Sequence, residues 1–235
     1  YKKPEQQRWY SGETISLGIG QGYNSFTMLQ IAHAMGTVAN NGLKMKPHLV
    51  REVVDVETKA STLVAKEPVG QLPLSPENLD IIKKGMIGVN IEGTSATSFV
   101  GAQYVSAGKT GTAQVFTVKQ NEKYNAANID ERMRDHALFV AFAPADDPKV
   151  ALAMVVENAG FGAQNAAPIA RRVFDFVIMG QYPSQEDIDA VQKGQATRPI
   201  GKPRPVASVP WPPKAAELAV DEPIAVASAA EKAAS

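Results

Sequence analysis

Two apolar runs joined by a turn constrain this chain most. Residues 138–142 and Val150–Val156 are each strand-sized, and Asp146-Asp147-Pro148 lies between them. Such runs on either side of a tight turn form an antiparallel hairpin. A third run, residues 104–118, precedes them across the polar stretch 119–135, so the expectation is a strand meander. Helical patterns surround it. Ser25 is a candidate N-cap for a helix over residues 26–40, with Met28, Ile31, Ala32, Met35, Val38 and Ala39 on one face and Asn41-Gly42 as its stop. Residues 49–56 alternate as a strand does. Ser75-Pro76 reads as an N-cap followed by proline at the first helical position, and Leu79, Ile82, Met86 and Val89 then share a face. A closing helix over residues 166–179 groups Ile169, Val173, Phe176 and Val177. Helices, then a meander, then a helix predict an α+β fold, an antiparallel sheet flanked by helices.

The last quarter breaks the pattern. Residues 181–235 hold eight of the 16 prolines and two aromatic residues, Tyr182 and Trp211, and alanine dominates the end. Few residues there can build a core. The expected division is a folded part, residues 1–180, and a Pro/Ala-rich disordered tail, residues 181–235. With six Lys+Arg and seven Asp+Glu the tail is neither a basic nor an acidic arm. A solvated extension and a partner-binding proline-rich segment both remain open.

Charge and composition exclude several functions. The whole chain balances 24 Lys+Arg against 24 Asp+Glu, and without a basic surplus no nucleic-acid partner is expected. No apolar stretch approaches the roughly 20 residues of a spanning helix. Cysteine is absent, which removes disulfides, thiolate catalysis and zinc–thiolate sites. Tyr1 in place of an initiating Met reads as a fragment or a processed product. His33, His48 and His136 lack metal-ligand spacing, so no metal site and no cofactor are expected.

Two glycine-rich segments imitate nucleotide loops and fail on spacing. Gly18-Ile19-Gly20-Gln21-Gly22 brings its third glycine one residue early for a dinucleotide fingerprint and has no βαβ setting. Gly108-Lys109-Thr110 has Gln103 where a phosphate loop needs glycine. The tetrad Lys109-Thr110-Gly111-Thr112 is more informative. On a strand, Thr110 and Thr112 put two hydroxyls on one side, Lys109 adds a cation, and Gly108 and Gly111 leave the strand bare for close approach. That combination suits a carboxylate-ended peptide lying antiparallel to the strand. A polar strand segment without function is the competing reading of the tetrad alone.

The surroundings favour the first reading. Lys-Thr-Gly is one of three signatures of the penicillin-recognising serine enzymes, beside S-x-x-K and S-x-N. Trp9-Tyr10-Ser11-Gly12-Glu13-Thr14, Gly18-Ile19-Gly20-Gln21-Gly22-Tyr23 and the helix ending Ala39-Asn40-Asn41-Gly42 resemble the transpeptidase domain of penicillin-binding proteins. Gly108 to Phe116 resembles its third-strand motif. Tyr124-Asn125-Ala126, Glu131 to His136 and Ala141-Phe142-Ala143-Pro144 look most like the class B, elongation-type penicillin-binding protein 2 family. The resemblance covers residues 1–180.

It implies a partial penicillin-binding-protein transpeptidase domain of serine β-lactamase-like fold. The activity implied is peptidoglycan D,D-transpeptidation: a serine attacks a D-Ala-D-Ala stem peptide, releases the terminal D-Ala, and a neighbouring stem amine resolves the acyl-enzyme into a cross-link. β-Lactams acylate the same serine. By the same resemblance Lys109 is catalytic, helping to bind the donor carboxylate and support proton transfer. Thr110, Gly111 and Thr112 bind substrate, and the Thr112 N–H is an oxyanion donor. Implied partners are peptidoglycan stem peptides, β-lactams, and the glycan polymerase and scaffold of the elongation machinery. The implied setting is the periplasmic face of the bacterial inner membrane, with a membrane anchor outside this chain. A β-lactam-sensing receptor domain and a serine β-lactamase share the Lys-Thr-Gly strand and stay as alternatives. The stem-peptide-sized loop 119–135 and the elongation-type blocks favour the transpeptidase over the sensor.

One departure is large. The chain has no S-x-N, and its single S-x-x-K is Ser106-Ala107-Gly108-Lys109. Residues three apart on a strand face opposite sides, so Ser106 is not expected to present its hydroxyl to Lys109. The expectation is that this chain carries the carboxylate-binding wall and not the nucleophile. Alone it is then inactive, and it folds poorly because the missing segments leave apolar surface uncovered.

Overall fold

The computed structural model describes residue 3, residues 7–115, residue 125, residues 128–195 and residues 198–209. Its centre is a three-stranded antiparallel sheet of β5 (Ala107–Ala113), β6 (His136–Ala143) and β7 (Val150–Val156), with β6 in the middle. The expected hairpin is present, β6 running Ala137↔Val156 to Ala143↔Val150 against β7. On its other edge β6 runs Ala107↔Phe142 to Ala113↔His136 against β5. β6 is apolar along its length because both its faces are covered. One face brings Ala137, Phe139, Ala141 and Ala143 into a core with Phe99, Ala166, Ala167, Ala170 and Phe174. The other brings Phe142, with Ala107, against Ala39, Met35, Val38, Met86 and Ile87.

The helices on the second face follow their sequence signals with two changes, a shifted cap on the first and, on the second, Ile82, which is 40% exposed although expected on the packed face. α2 (Met28–Ala39) is capped by Thr27 instead of Ser25: the Thr27 hydroxyl accepts the Gln30 N–H, and the Gln30 side chain returns to the Thr27 N–H. Ser25 has no such reciprocal partner three residues on. Asn41 and Gly42, both at positive φ, end the helix as expected. α3 (Pro76–Ile91) starts at the Ser75 cap, whose hydroxyl accepts the Asn78 N–H. Lys83 ties α3 to the end of α2, donating to the Ala39 carbonyl at 2.8 Å and to Asn41 Oδ1 at 2.7 Å.

Several expectations are corrected. A helix, α1 (Ser11–Gly18), forms where none was read, and none of its residues is buried. The strand expected over 49–56 shrinks to β2 (Glu52–Val54), paired only with β3 (Ser61–Leu63). Every residue of both is exposed, so the alternation there does not mark a core. β1 (Leu43–Met45) and β4 (Pro68–Gln71) form a second small ladder. The strand expected over 104–118 is confined to 107–113, and its last part, 116–118, lies outside the described residues.

The closing helix, α6 (Ala167–Met179), turns the opposite face inward. Ile169, Val173, Phe176 and Val177 are all at least one-third exposed, while Ala167, Ala170, Arg171, Phe174 and Asp175 are buried. Small residues let the helix sit close to the alanines of β6. The Arg171–Asp175 pair, at 2.9 Å, makes two charges tolerable there. Arg171 also donates to the Val100 carbonyl at the end of α4 (Ala96–Phe99), and Tyr104 OH donates to Asp175. Burial and the Asp175 carboxylate push the Tyr104 phenol far above its ordinary value.

Regular structure also continues past Gly180, where the tail was expected to start. β8 (Gln181–Tyr182) pairs with β9 (Arg204–Pro205), and α7 (Gln185–Gln192) lies between them. Asp187, fully buried, holds Arg172 of α6 through both carboxylate oxygens, at 2.6 and 2.8 Å. One ion pair thus anchors a proline-rich segment that lacks apolar bulk. The remainder of the expected tail, residues 210–235, lies outside the described residues.

Candidate active site

β5 is an edge strand among the described residues, pairing with β6 alone. In an antiparallel ladder the backbone groups of successive residues point alternately toward and away from the neighbour. The Thr110 carbonyl accepts Lys109 Nζ at 2.8 Å, which marks Thr110, and by alternation Thr112, as turned to the open edge. Lys109 and Thr112 are exposed, and Thr110 and Gly111 half-buried. The tetrad therefore lies along an accessible strand edge. Gly162, at the start of the short helix α5 (Gly162–Asn165), sits over the other side of the tetrad. A Cβ on Gly162 would overlap the Leu138 carbonyl and stand 2.6 Å from the Gly111 carbonyl.

Gly108 serves a purpose other than the one expected. A Cβ on Gly108 would fall 2.6 Å from the Phe139 ring and 3.0 Å from Asn90 Oδ1, and one on Gly111 would fall 3.2 Å from the Leu138 side chain. The room at Gly108 is taken by the buried Phe139 and Asn90, whereas Leu138, beside Gly111, is only half-buried.

Three residues that the sequence did not single out brace the tetrad. After α3 the chain turns sharply, and Thr94 Oγ1 comes 3.0 Å from Thr110 Oγ1. Behind the strand, Ser95 Oγ donates to Asn90 Oδ1 at 2.6 Å, and Asn90 Nδ2 donates to Ser106 Oγ at 2.8 Å, all three residues being buried. The turn is thus pinned to β5 on its inner and outer sides. Ser106 is buried and committed to Asn90, while Lys109 is exposed, so the S-x-x-K spacing brings no serine to that lysine. No sequence rule marks these residues, because single polar side chains in a turn are common. A weak signal was available in Gly93-Thr94-Ser95, which interrupts the helical pattern just before the strand.

A cleft of about 530 Å³ continues along the edge, lined by Ile19 to Gly22 and Asn24 on one side and by Gly111 to Val115 and Leu138 on the other. Gln21 Nε2 meets Gln114 Oε1 across it at 3.3 Å. The Gly-Gln-Gly loop, which fails as a nucleotide loop, thus faces the end of the Lys-Thr-Gly strand.

Each histidine spends a ring nitrogen on the backbone: His33 on the Met45 carbonyl, His48 on the Val50 carbonyl, and His136 Nδ1 accepting the Asn158 N–H. Among the described residues no three His, Asp or Glu converge as metal ligands would. Among them, too, no helix is long and apolar enough to cross a membrane.

Residues 2–175 match the model of the penicillin binding protein transpeptidase domain. The peptidoglycan D,D-transpeptidase MrdA of Haemophilus influenzae is 42% identical over 195 residues, which cover 79% of this chain and 28% of that protein. The chain therefore spans little more than a quarter of that relative's length. Among solved structures, Pseudomonas aeruginosa PBP2 in complex with WCK 5153 superposes with a TM-score of 0.58 at 37% identity, over 73% of this chain and 34% of that one. Helicobacter pylori PBP2, in its complex with MreC, gives 0.56 at 26% identity, over 75% and 29%. A Lys-Thr-Gly-Thr edge strand, a braced threonine beside it and the matched family model all agree, and the chain belongs to the penicillin-binding protein transpeptidase family.

Proposed function

We propose that this chain is the carboxylate-binding half of a peptidoglycan D,D-transpeptidase of the MrdA (penicillin-binding protein 2) type. The observation that carries the reading is the open edge of β5, with Thr110 and Thr112 turned toward it and the Thr110 hydroxyl 3.0 Å from that of Thr94.

A D-Ala-D-Ala donor lies antiparallel to that edge. Its terminal carboxylate accepts from the Thr110 hydroxyl, with Thr112 beside it, and the Lys109 ammonium offsets its charge. With Thr94 as the donor to Thr110 Oγ1, the Thr110 proton is left for the carboxylate. The scissile carbonyl oxygen meets the Thr112 N–H. A single such donor contributes roughly 3–4 kcal/mol when negative charge develops on that oxygen. The nucleophilic serine and its S-x-x-K lysine come from a segment outside these 235 residues. The serine adds to the carbonyl of the penultimate D-Ala and the C–N bond breaks. Terminal D-Ala leaves as the amine, and a stem-peptide amine displaces the serine to complete a cross-link. With water as the acceptor the same acyl-enzyme gives a D-Ala carboxypeptidase. β-Lactams enter by the same carboxylate contacts.

A parent protein that acts on peptidoglycan stems works, in this reading, on the periplasmic face of the inner membrane. The MreC complex of the Helicobacter pylori relative supports a scaffold partner, and a glycan polymerase follows from the need for nascent strands to cross-link.

The test uses the full-length protein carrying this chain, a labelled penicillin and a D-Ala-D-Ala stem peptide. The expected result is one long-lived adduct per molecule and D-Ala release. Thr110→Val should slow acylation at least about tenfold, the loss of a hydrogen bond to a charged partner, and Thr110→Ser should restore most of it. No adduct and no D-Ala release would overturn the proposal, and rapid turnover of penicillin would point to a β-lactamase.

A further inference from the structure

The chain has a single Asn-Gly step, Asn41-Gly42, at the junction of α2 and β1. Such a step can react with itself. The backbone nitrogen of the glycine adds to the side-chain amide carbon of the asparagine, the bond from that carbon to Nδ2 breaks, and ammonia leaves with the proton of the attacking N–H. Water then opens the cyclic imide at either carbonyl, giving aspartate or isoaspartate. Glycine favours the attack because no Cβ stands beside its nitrogen.

The fold requires that same glycine. Gly42 takes φ +84°, and a Cβ on it would fall 2.7 Å from Gln71 Nε2 and 3.2 Å from the Leu79 side chain. Asn41 before it is also left-handed, at φ +53°, a conformation in which asparagine is enriched. The turn that ends α2 therefore selects a pair of residues suited to this reaction. Asn41 is exposed, so water reaches it.

Both reacting groups are nevertheless held. The nucleophile, the Gly42 N–H, donates to the Thr37 carbonyl at 2.8 Å. Asn41 Oδ1, on the carbon to be attacked, accepts Lys83 Nζ at 2.7 Å, and the same ammonium donates to the Ala39 carbonyl at 2.8 Å. The backbone is fixed on either side. The Asn41 carbonyl accepts Gln71 Nε2 at 3.0 Å, and the Gly42 carbonyl accepts the Leu72 N–H at 2.9 Å. The Gly42 nitrogen can attack only after its bond to Thr37 breaks and the Asn41 side chain leaves Lys83.

We propose that Asn41-Gly42 is a deamidation site gated by the fold, shut while the end of α2 is formed and open when that end frays. Helix ends fray at a lower free energy than the whole domain unfolds, so the native protein reacts slowly without unfolding. The two products differ. Aspartate keeps the main chain as it was, with an oxygen still able to accept Lys83. Isoaspartate routes the main chain through the former side-chain carbons and moves Gly42 away from Thr37 and Leu72. That disturbs the end of α2, where Ala39 packs with Phe142 of β6. The inference goes beyond the transpeptidase reading and does not depend on it.

The test follows the peptide carrying Asn41 in the full-length protein, by mass after digestion and by enzymatic methylation of isoaspartate. Folded protein and protein in denaturing urea are held at the same alkaline pH and temperature. The folded protein should react at least about tenfold more slowly, because the helix end is closed most of the time. Lys83→Met and Gln71→Leu each remove bonds that keep the gate shut. Each should speed the folded reaction by about fivefold, the factor for one lost hydrogen bond, and leave the rate in urea unchanged. Gln71 is exposed, so Gln71→Leu tests the gate even where Lys83→Met folds badly. Equal rates in folded and unfolded protein, no reaction at Asn41 in urea, or a Gln71→Leu rate equal to that of the unmodified protein would overturn the inference. A slower reaction in folded Lys83→Met would overturn it too, since the ammonium would then be activating the amide and not locking it.

Discussion

Asn90→Ala is expected to destabilise the domain by about 3 kcal/mol. Asn90 makes two buried side-chain hydrogen bonds, accepting from Ser95 and donating to Ser106. A typical bond contributes about 1 kcal/mol, and stranding a buried partner raises the loss to about 1–3 kcal/mol. Ser95 keeps a second acceptor, the Val89 carbonyl at 3.1 Å, so its share falls at the low end. Ser106 is 4% exposed and loses its donor, so its share is the larger, about 2 kcal/mol. For a domain of this size 1 kcal/mol moves the melting point by roughly 2–4 °C, which sets the expected drop at about 6–12 °C. The assay is thermal and urea unfolding of the full-length protein, following the transpeptidase-domain transition. Asn90→Leu combined with Ser106→Ala should recover more than half of the loss, since removing both ends of a buried bond is far cheaper than removing one. A drop below about 2 °C for Asn90→Ala, or a double variant less stable than the single, would refute the reasoning that this node pins the turn to β5.

Two other perturbations have definite signs. Gly162→Ala should cost about 3 kcal/mol, the upper end of overpacking, because the obstruction is the backbone of Leu138 and Gly111, and penicillin acylation should slow with it as the tetrad shifts. A urea midpoint and acylation rate equal to those of the unmodified protein would count against this. Lys83→Met should cost about 1–2 kcal/mol through the lost bonds to Ala39 and Asn41. Burial holds the Lys83 ammonium below its ordinary value, so the fold disfavours the charged form relative to the unfolded chain. Its contribution to stability therefore rises with pH through the window from the lowered value up to the ordinary 10.5. Unfolding profiles across that window should differ in slope between Lys83→Met and the unmodified protein, and identical slopes would contradict the assignment.

The hairpin of β6 and β7 was legible because a strand buried on both faces is apolar throughout, and the Ser75 cap because its side chain bonds locally. The face of α6 was not legible. It buries alanines and a paired Arg171 and Asp175, none of which adds to an apolar pattern, and leaves the branched residues outside. The order at 181–209 was hidden for the same reason, since one buried carboxylate on Arg172 does the work of a missing apolar core. In the site, Lys109, Thr110 and Thr112 stood out through a contiguous motif. Asn90, Thr94 and Gln21 lie 16, 16 and 93 residues before their partners in space, Ser106, Thr110 and Gln114, and only the fold brings them there.

The most direct test of the account is the location of the penicillin adduct. Full-length protein and the 235-residue chain are each incubated with a penicillin, weighed intact and digested. The account predicts one adduct on the full-length protein, on a serine outside these residues, and none on the chain alone. An adduct on any serine within the 235 residues, Ser106 first among them, would contradict it.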